Sequence, residues 1–282
     1  MFKNLRNLLR PAAARSLPAL PAGNRVYAVG DIHGRADLFA ALIKAIDIDD
    51  RRRNALPGPA AGPPPVTTVI LLGDLIDRGP DSRGVLDLAM RWGQQRPVRV
   101  LMGNHEEMFL KALDSVEVLR HFLRFGGRET VLSYDVDQRA YAEASFEEVQ
   151  VMLHTLIPPA TVDFIRQFED SIHMGDYVFA HAGIRPGVPL DTQKPEDLRW
   201  IREPFLSHAQ DHGVVVVHGH TIADHPEIRA NRLGIDTGAY QSGRLTALML
   251  EGEEQWLIQA FQDGETQDIT VSMQQLDQDT RG

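Results

Sequence analysis

Five apolar stretches of this chain each run out into a glycine beside an aspartate, asparagine or histidine: "VGDIHG" at 29–34, "LGDLIDRG" at 72–79, "MGNHEE" at 102–107, "FAHAG" at 179–183 and "VHGHT" at 217–221. Buried strands carry apolar side chains, so ionisable residues placed directly after them lie at the strands' carboxyl ends. In an open α/β sheet those ends converge on one crevice, where ligands bind. A single Gly-Asp after a strand is usually a turn, and a lone histidine is usually a surface or core residue. "NHEE" alone could open a helix with Asn104 as its cap. Five such ends in one chain predict a single polar site, and the glycines let the backbone turn sharply around it.

The periodicity predicts strands near 26–30, 66–73, 97–103, 176–180 and 213–217, with helices at 36–47 and 82–95 between the first three. That alternation builds a sheet with crossover helices. The run "RNALPGPAAGPPP" reads as a surface loop leading into the second strand. Residues 107–172 lack clear strands and carry apolar residues at helical spacing, as in "VEVLRHFLRF" and "ATVDFIRQF", so a helical insertion over one sheet edge is predicted. From 228 onward, "IRANRLGID", "RLTALMLEG" and "EQWLIQAF" predict successive antiparallel strands.

With 282 residues, 43% hydrophobic and 24% charged, the chain fits one large domain, taken as 26–262, between a basic flexible tail at 1–25 and a polar tail at 263–282. Residues 1–25 hold five positive charges and no acid; with a net charge of −10, that leaves −15 on the remainder. A body so acidic is a poor ligand for nucleic-acid phosphates. The tail spaces Phe2, Leu5, Leu8 and Leu9 as a short amphipathic helix would, until prolines break it. It reads as a disordered tail, with weak contact to an anionic membrane as the alternative. The absence of cysteine excludes disulfides, thiolate zinc sites and a cysteine nucleophile. No apolar run approaches the ~20 residues that cross a bilayer, so a soluble, cytoplasmic protein is expected.

Asp31, His33, Asp74, Asn104, His181 and His220 offer oxygen and imidazole donors without sulfur, a set suited to Mn²⁺, Fe or Zn²⁺ rather than copper. Six donors are too many for one catalytic ion with open positions, but they fit two ions ~3.5–4 Å apart that share a carboxylate. Two divalent ions, two carboxylates and a bridging hydroxide leave a charge of about +1, which attracts phosphate. Arg78 and Arg202 could fork onto phosphate oxygens, though a surface ion pair is an equal reading of Arg202.

In this order, over about residues 26–250, "GDIHG", "GDLIDRG", "GNHE", "HAG" and "GHT" resemble the calcineurin-like metallophosphoesterase superfamily. Within it they are most similar to the phosphoprotein phosphatases related to serine/threonine phosphatases, especially the bacterial and phage types. The resemblance implies an α/β fold, a β-sandwich flanked by helices with a βαβαβ amino-terminal half. It implies that Asp31 and His33 hold a first metal, that Asp74 bridges, and that Asn104, His181 and His220 hold a second, with manganese expected and iron or zinc as alternatives. His105 stands at the family's general acid with Asp77 behind it. Arg78 and Arg202, the latter in "WIRE", stand at its phosphate clamp. The expected activity is hydrolysis of phosphate monoesters on phosphorylated protein, on serine, threonine or tyrosine, by a hydroxide activated at the metals. The alternative is a dinucleoside polyphosphate hydrolase like the bis(5'-nucleosyl)-tetraphosphatases.

Four positions depart from the family pattern. Met102 replaces an arginine found before "GNHE" in many members, and "HAG" replaces "HGG" of the eukaryotic enzymes. Ile222 occupies the second histidine of the Gly-His-x-His found in the wider superfamily. His218, beside His220, is read as a supporting or structural residue.

Overall fold

The computed structural model describes residues 17–55 and 63–277. The chain runs β1 (Asn24–Val29), α1 (Ala36–Ala55), β2 (Val66–Leu71), α2 (Ser82–Gly93), β3 (Val98–Val100) and α3 (Asn104–Asp114). Five more helices follow, α4 (Val116–Phe122), α5 (Arg128–Leu132), α6 (Gln138–Glu143), α7 (Phe146–Leu156) and α8 (Pro159–Arg166). Next come β4 (Ser171–Met174), β5 (Tyr177–Ala180), α9 (Pro195–Trp200), β6 (Val215–His218), β7 (Glu227–Ile228) and β8 (Arg232–Gly234). The chain closes with α10 (Ala239–Ser242), β9 (Arg244–Glu251), β10 (Glu254–Gln262) and β11 (Ile269–Gln275).

These strands form two sheets, ordered β11-β10-β9-β1-β2-β3 and β4-β5-β6-β8-β7. β1, β2 and β3 are parallel, as are β5, β6 and β8. Side chains alternate between the two faces of a strand. Val26 and Ala28 therefore pack with Phe179, Val217 and Leu248 between the sheets, while Tyr27 and Val29 pack with Phe39 and Leu42 under the helices. Burying each such aliphatic side chain is worth roughly 1.5–3 kcal/mol. Because both faces of β1 are covered, the strand reads as a continuous apolar run. Helices α3 to α8 link β3, at the edge of one sheet, to β4, at the edge of the other. No described helix is long and apolar enough to cross a membrane.

Several elements differ from the sequence reading. α1 runs to Ala55, because its last turns bury acids instead of apolar residues: Asp49 accepts from the Tyr27 hydroxyl at 2.7 Å and Asp50 from Arg25 Nη1 at 2.7 Å. β8 pairs in parallel with β6 and antiparallel with β7, so it belongs to the second sheet and not to a meander with β9. Residues 269–275, read as part of a polar tail, form edge strand β11 against β10. An edge strand with one solvent face needs few apolar residues, which hid it. At the amino-terminal side, Leu20 is buried and its amide donates to Gly252 O at 3.0 Å, so the stretch 17–25, read as tail, packs on the domain. The amphipathic segment at 1–16 lies outside the described residues.

Candidate active site and metal centre

The five polar strand ends meet at one place, and the backbone is contorted there. His33, Asp74, Asp77, Arg78 and His220 all have positive φ, between 45° and 73°; among the described residues only one other non-glycine residue, Gln267, does. Such conformations cost on the order of 1–3 kcal/mol each and persist where the surroundings impose them, most often at functional sites. Two glycines permit the close approach. A Cβ on Gly219 would lie 2.0 Å from Asp31 Oδ1, and one on Gly103 would lie 2.2 Å from Asp74 Oδ1.

Asp74 sits at the centre. Its Oδ2 is 3.5 Å from His33 Nε2, and its Oδ1 is 3.5 Å from His181 Nε2. One oxygen thus faces each half of the site, as a bridging carboxylate must. His33 Nδ1 lies 2.8 Å from Ile76 O and His181 Nδ1 lies 2.7 Å from Leu72 O, so each Nδ1–H donates to a carbonyl and each Nε2 offers a lone pair inward. Burial holds both imidazoles neutral, pushing His33 down to about 3 and lowering His181. His220 is also pushed down to about 3, first by burial.

Two observations test whether this set fits cations. His181 Nε2, an acceptor, lies 3.0 Å from the Asn104 amide oxygen, another acceptor, which also lies 2.8 Å from His220 Nδ1. A cation bound by all three makes that grouping favourable, whereas protonating His181 would oppose its burial. The Asp31 carboxylate accepts the His220 amide with Oδ2, but its buried Oδ1 has no partner, and neither does His220 Nε2. Burial and the neighbouring carboxylates of Asp236 and Asp74 raise Asp31 well above the usual carboxylate range, a repulsion that divalent cations would reverse. The residues fit two cations. His33, Asp74 and His105 form one potential ligand trio and Asp74, His181 and His220 a second that shares Asp74.

His105 nevertheless has other commitments. Its Nδ1 is 2.6 Å from Asp77 Oδ2, and its Nε2 accepts from Arg78 Nη2 at 2.9 Å. Burial depresses its basicity, but Asp74 and Asp77 outweigh that and raise it above the ordinary histidine value. The site therefore sets three imidazoles whose basicity burial lowers beside one whose basicity two carboxylates raise. Arg78 also donates to His33 Nε2 at 2.8 Å and lies over the Tyr240 ring, 5.1 Å from its centroid. Asp74, Arg78, Asn104, His105, His220 and Tyr240 line a cleft of about 750 Å³, and Arg202 reaches its rim exposed to solvent. Every residue read from the sequence as a candidate ligand, acid or clamp is brought to this cleft or to the buried centre beneath it. Met102 is not: it is buried, and its amide donates to Glu169 O at 2.8 Å. His218 packs edge-on against Phe205, 5.1 Å between centroids, away from the cleft.

Two residues were missed. Glu106 is fully buried and accepts backbone N–H groups from Asp74 (2.9 Å), Leu75 (2.7 Å), Ile76 (3.3 Å) and Gly103 (3.1 Å). It thereby ties the loop after β2 to the start of α3. Asp236 follows β8 in "GIDTG" and adds a buried carboxylate beside Asp31; burial first, and then Asp74, push it up to about 6. The signal for it was the same apolar-strand-then-aspartate pattern, obscured because β8 was read as part of a meander.

A two-sheet α/β sandwich carrying a carboxylate and imidazole cluster at its strand ends is the architecture of metal-dependent phosphoesterases. Residues 24–237 match the Calcineurin-like phosphoesterase family, and the chain belongs to it. Serine/threonine-protein phosphatase 1 of Salmonella typhimurium is 30% identical over 234 residues, covering 80% of this chain and 92% of that protein. An asymmetrical bis(5'-nucleosyl)-tetraphosphatase of Anoxybacillus flavithermus is 27% identical over 240 residues, covering 78% and 88%. The crystal structure of a cold-active protein-tyrosine phosphatase from a Shewanella species shares the fold, with a TM-score of 0.54 at 20% identity over 95% of this chain and 89% of that one.

Proposed function

We propose that this phosphoesterase is a protein phosphatase that hydrolyses phosphate monoesters on serine, threonine or tyrosine with two divalent cations, manganese foremost. Asp31 and His33 would hold one cation, Asn104, His181 and His220 the other, and Asp74 both. The cations would supply a nucleophilic water and neutralise phosphate oxygens. Arg78 and Arg202, both lining the cleft, bind and orient the phosphate. With Arg78 turned from it onto the phosphate and Nε2 protonated, His105 delivers that proton to the departing oxygen while Asp77 stabilises the imidazolium. The buried 2.6 Å pair of His105 and Asp77 carries this reading. A serine or threonine alkoxide is a poor leaving group and needs such an acid, whereas a nucleotide phosphate leaves with little help.

A second reading, hydrolysis of dinucleoside polyphosphates, is favoured by the cleft rim. Phe125 and Trp200 line it while 51% and 41% exposed, and their flat rings could stack nucleobases. The tetraphosphatase among the relatives adds weight to it. The test is side-by-side turnover of a phosphoserine peptide, a phosphotyrosine peptide and diadenosine tetraphosphate. A kcat/KM for the tetraphosphate above that of both peptides would overturn the phosphatase reading.

A further inference from the structure

We infer that Glu107 is a positioning residue that holds the Trp200–Arg202 segment against the active site; the inference rests on reading Arg202 as a phosphate clamp. α3 opens with four polar residues in succession, and their side chains take different directions. Asn104 and His105 enter the site, and Glu106 turns back to the loop after β2. Glu107 reaches across to α9 and the residues that follow it.

Its carboxylate collects three donors there and on its own helix. Trp200 Nε1 donates to Oε2 at 2.6 Å, while Oε1 takes Lys111 Nζ at 2.9 Å and Arg199 Nη1 at 3.2 Å. Arg199 is secured a second time, to Asp170 at 2.6 Å. Held in this way, the Trp200 ring lies edge-on to His220 with 6.4 Å between centroids, and so bounds the site. Arg202, two residues on, makes no side-chain hydrogen bond or ion pair among the described residues. An exposed arginine with no partner of its own is placed only by the backbone that carries it, and across the cleft that backbone is tied down through Glu107. Arg78, by contrast, is held by its own contacts with His33 and His105. The two arginines therefore differ in what sets their position, and Arg202 depends on Glu107.

Displacing a positioned group by about an ångström can cost up to ~100-fold in rate. Glu107→Ala should lower kcat/KM for p-nitrophenyl phosphate between roughly 10- and 100-fold, mainly through KM, with metal content unchanged. Introduced into Arg202→Ala, it should cost no more than about twofold further, because the group it positions is already gone. Glu107→Gln keeps an acceptor for the indole and should recover most of the loss. Trp200→Phe, which keeps the ring and removes the donor, should reproduce the Glu107→Ala pattern and serves as a check if the alanine variant unfolds. Full additivity of Glu107→Ala with Arg202→Ala, or wild-type kinetics in Glu107→Ala beside an impaired Arg202→Ala, overturns the inference alone. Wild-type kinetics in Arg202→Ala removes the clamp itself, and the inference with it.

Discussion

His105 and Asp77 meet at 2.6 Å, Nδ1 to Oδ2, with at most 1% of either side chain exposed. Asp77 is fixed in turn: Thr130 Oγ1 donates to its Oδ1 at 2.6 Å, and its amide donates to the Ser82 and Thr130 hydroxyls, each at 2.9 Å. The imidazole is therefore held in one orientation, with Nε2 turned toward Arg78 at the cleft.

A fixed acid matters most when the leaving group is poor. His105→Asn should slow a phosphoserine peptide by about 10²–10⁴-fold and nitrophenyl phosphate far less, with two metals still bound. Asp77→Asn should show the same dependence on leaving group at smaller size. Equal losses on both substrates, or loss of a metal from His105→Asn, would place His105 among the ligands instead.

Chelation should abolish turnover and manganese should restore it, since the proposed ligand set joins two buried carboxylates to three imidazoles that burial keeps neutral. Asp74→Asn should lower metal occupancy and the rates on both substrates together, because each oxygen of Asp74 faces a different half of the site. Metal analysis showing none bound in a fully active, chelator-treated sample would refute the mechanism.

Arg78→Ala and Arg202→Ala should each remove on the order of 2–4 kcal/mol of transition-state stabilisation with metal content near wild type. Steady-state kinetics beside metal analysis checks both.

Far from the cleft, Asp50 is nearly buried against Arg25, Arg96 and Thr67. Burial acts to raise its pKa, but the hydrogen bonds from Thr67, Arg25 and Arg96 outweigh that and hold it below the ordinary 3.8. A depressed carboxylate contributes stability that is present above its unfolded pKa and lost as pH falls through the folded one. Asp50→Asn should therefore cost on the order of 3 kcal/mol near pH 6, and the gap to wild type should narrow below pH ~4. Urea midpoints across that range measure it, and a gap independent of pH would count against the ionised pair.

The chemistry of the site was legible in the sequence because it is local. An apolar run followed by Gly-Asp, Gly-Asn-His or Gly-His fixes both the donor and its place at a strand end, whatever surrounds it. Candidate donors could therefore be picked out from type and spacing, whereas the acid role of His105 was an expectation carried by the family resemblance, and α3 could be anticipated from "GNHEE". Asp236 escaped although its signal was local, because the strand before it was assigned to the wrong sheet.

What the chain alone determined was which groups are offered and that they stand at strand ends. Tertiary structure decided which of them touch. Glu106 reads as an ordinary helix-start glutamate until the loop after β2, some thirty residues earlier, presents three amides to it. Glu107 and Trp200 are 93 residues apart, and Arg25 and Glu251 are 226 apart. No periodicity records such pairs, because a hydrogen bond between distant segments depends on how two sheets and their helices stack. Stacking is driven by apolar burial, which constrains shape but does not specify which polar groups it will leave facing one another.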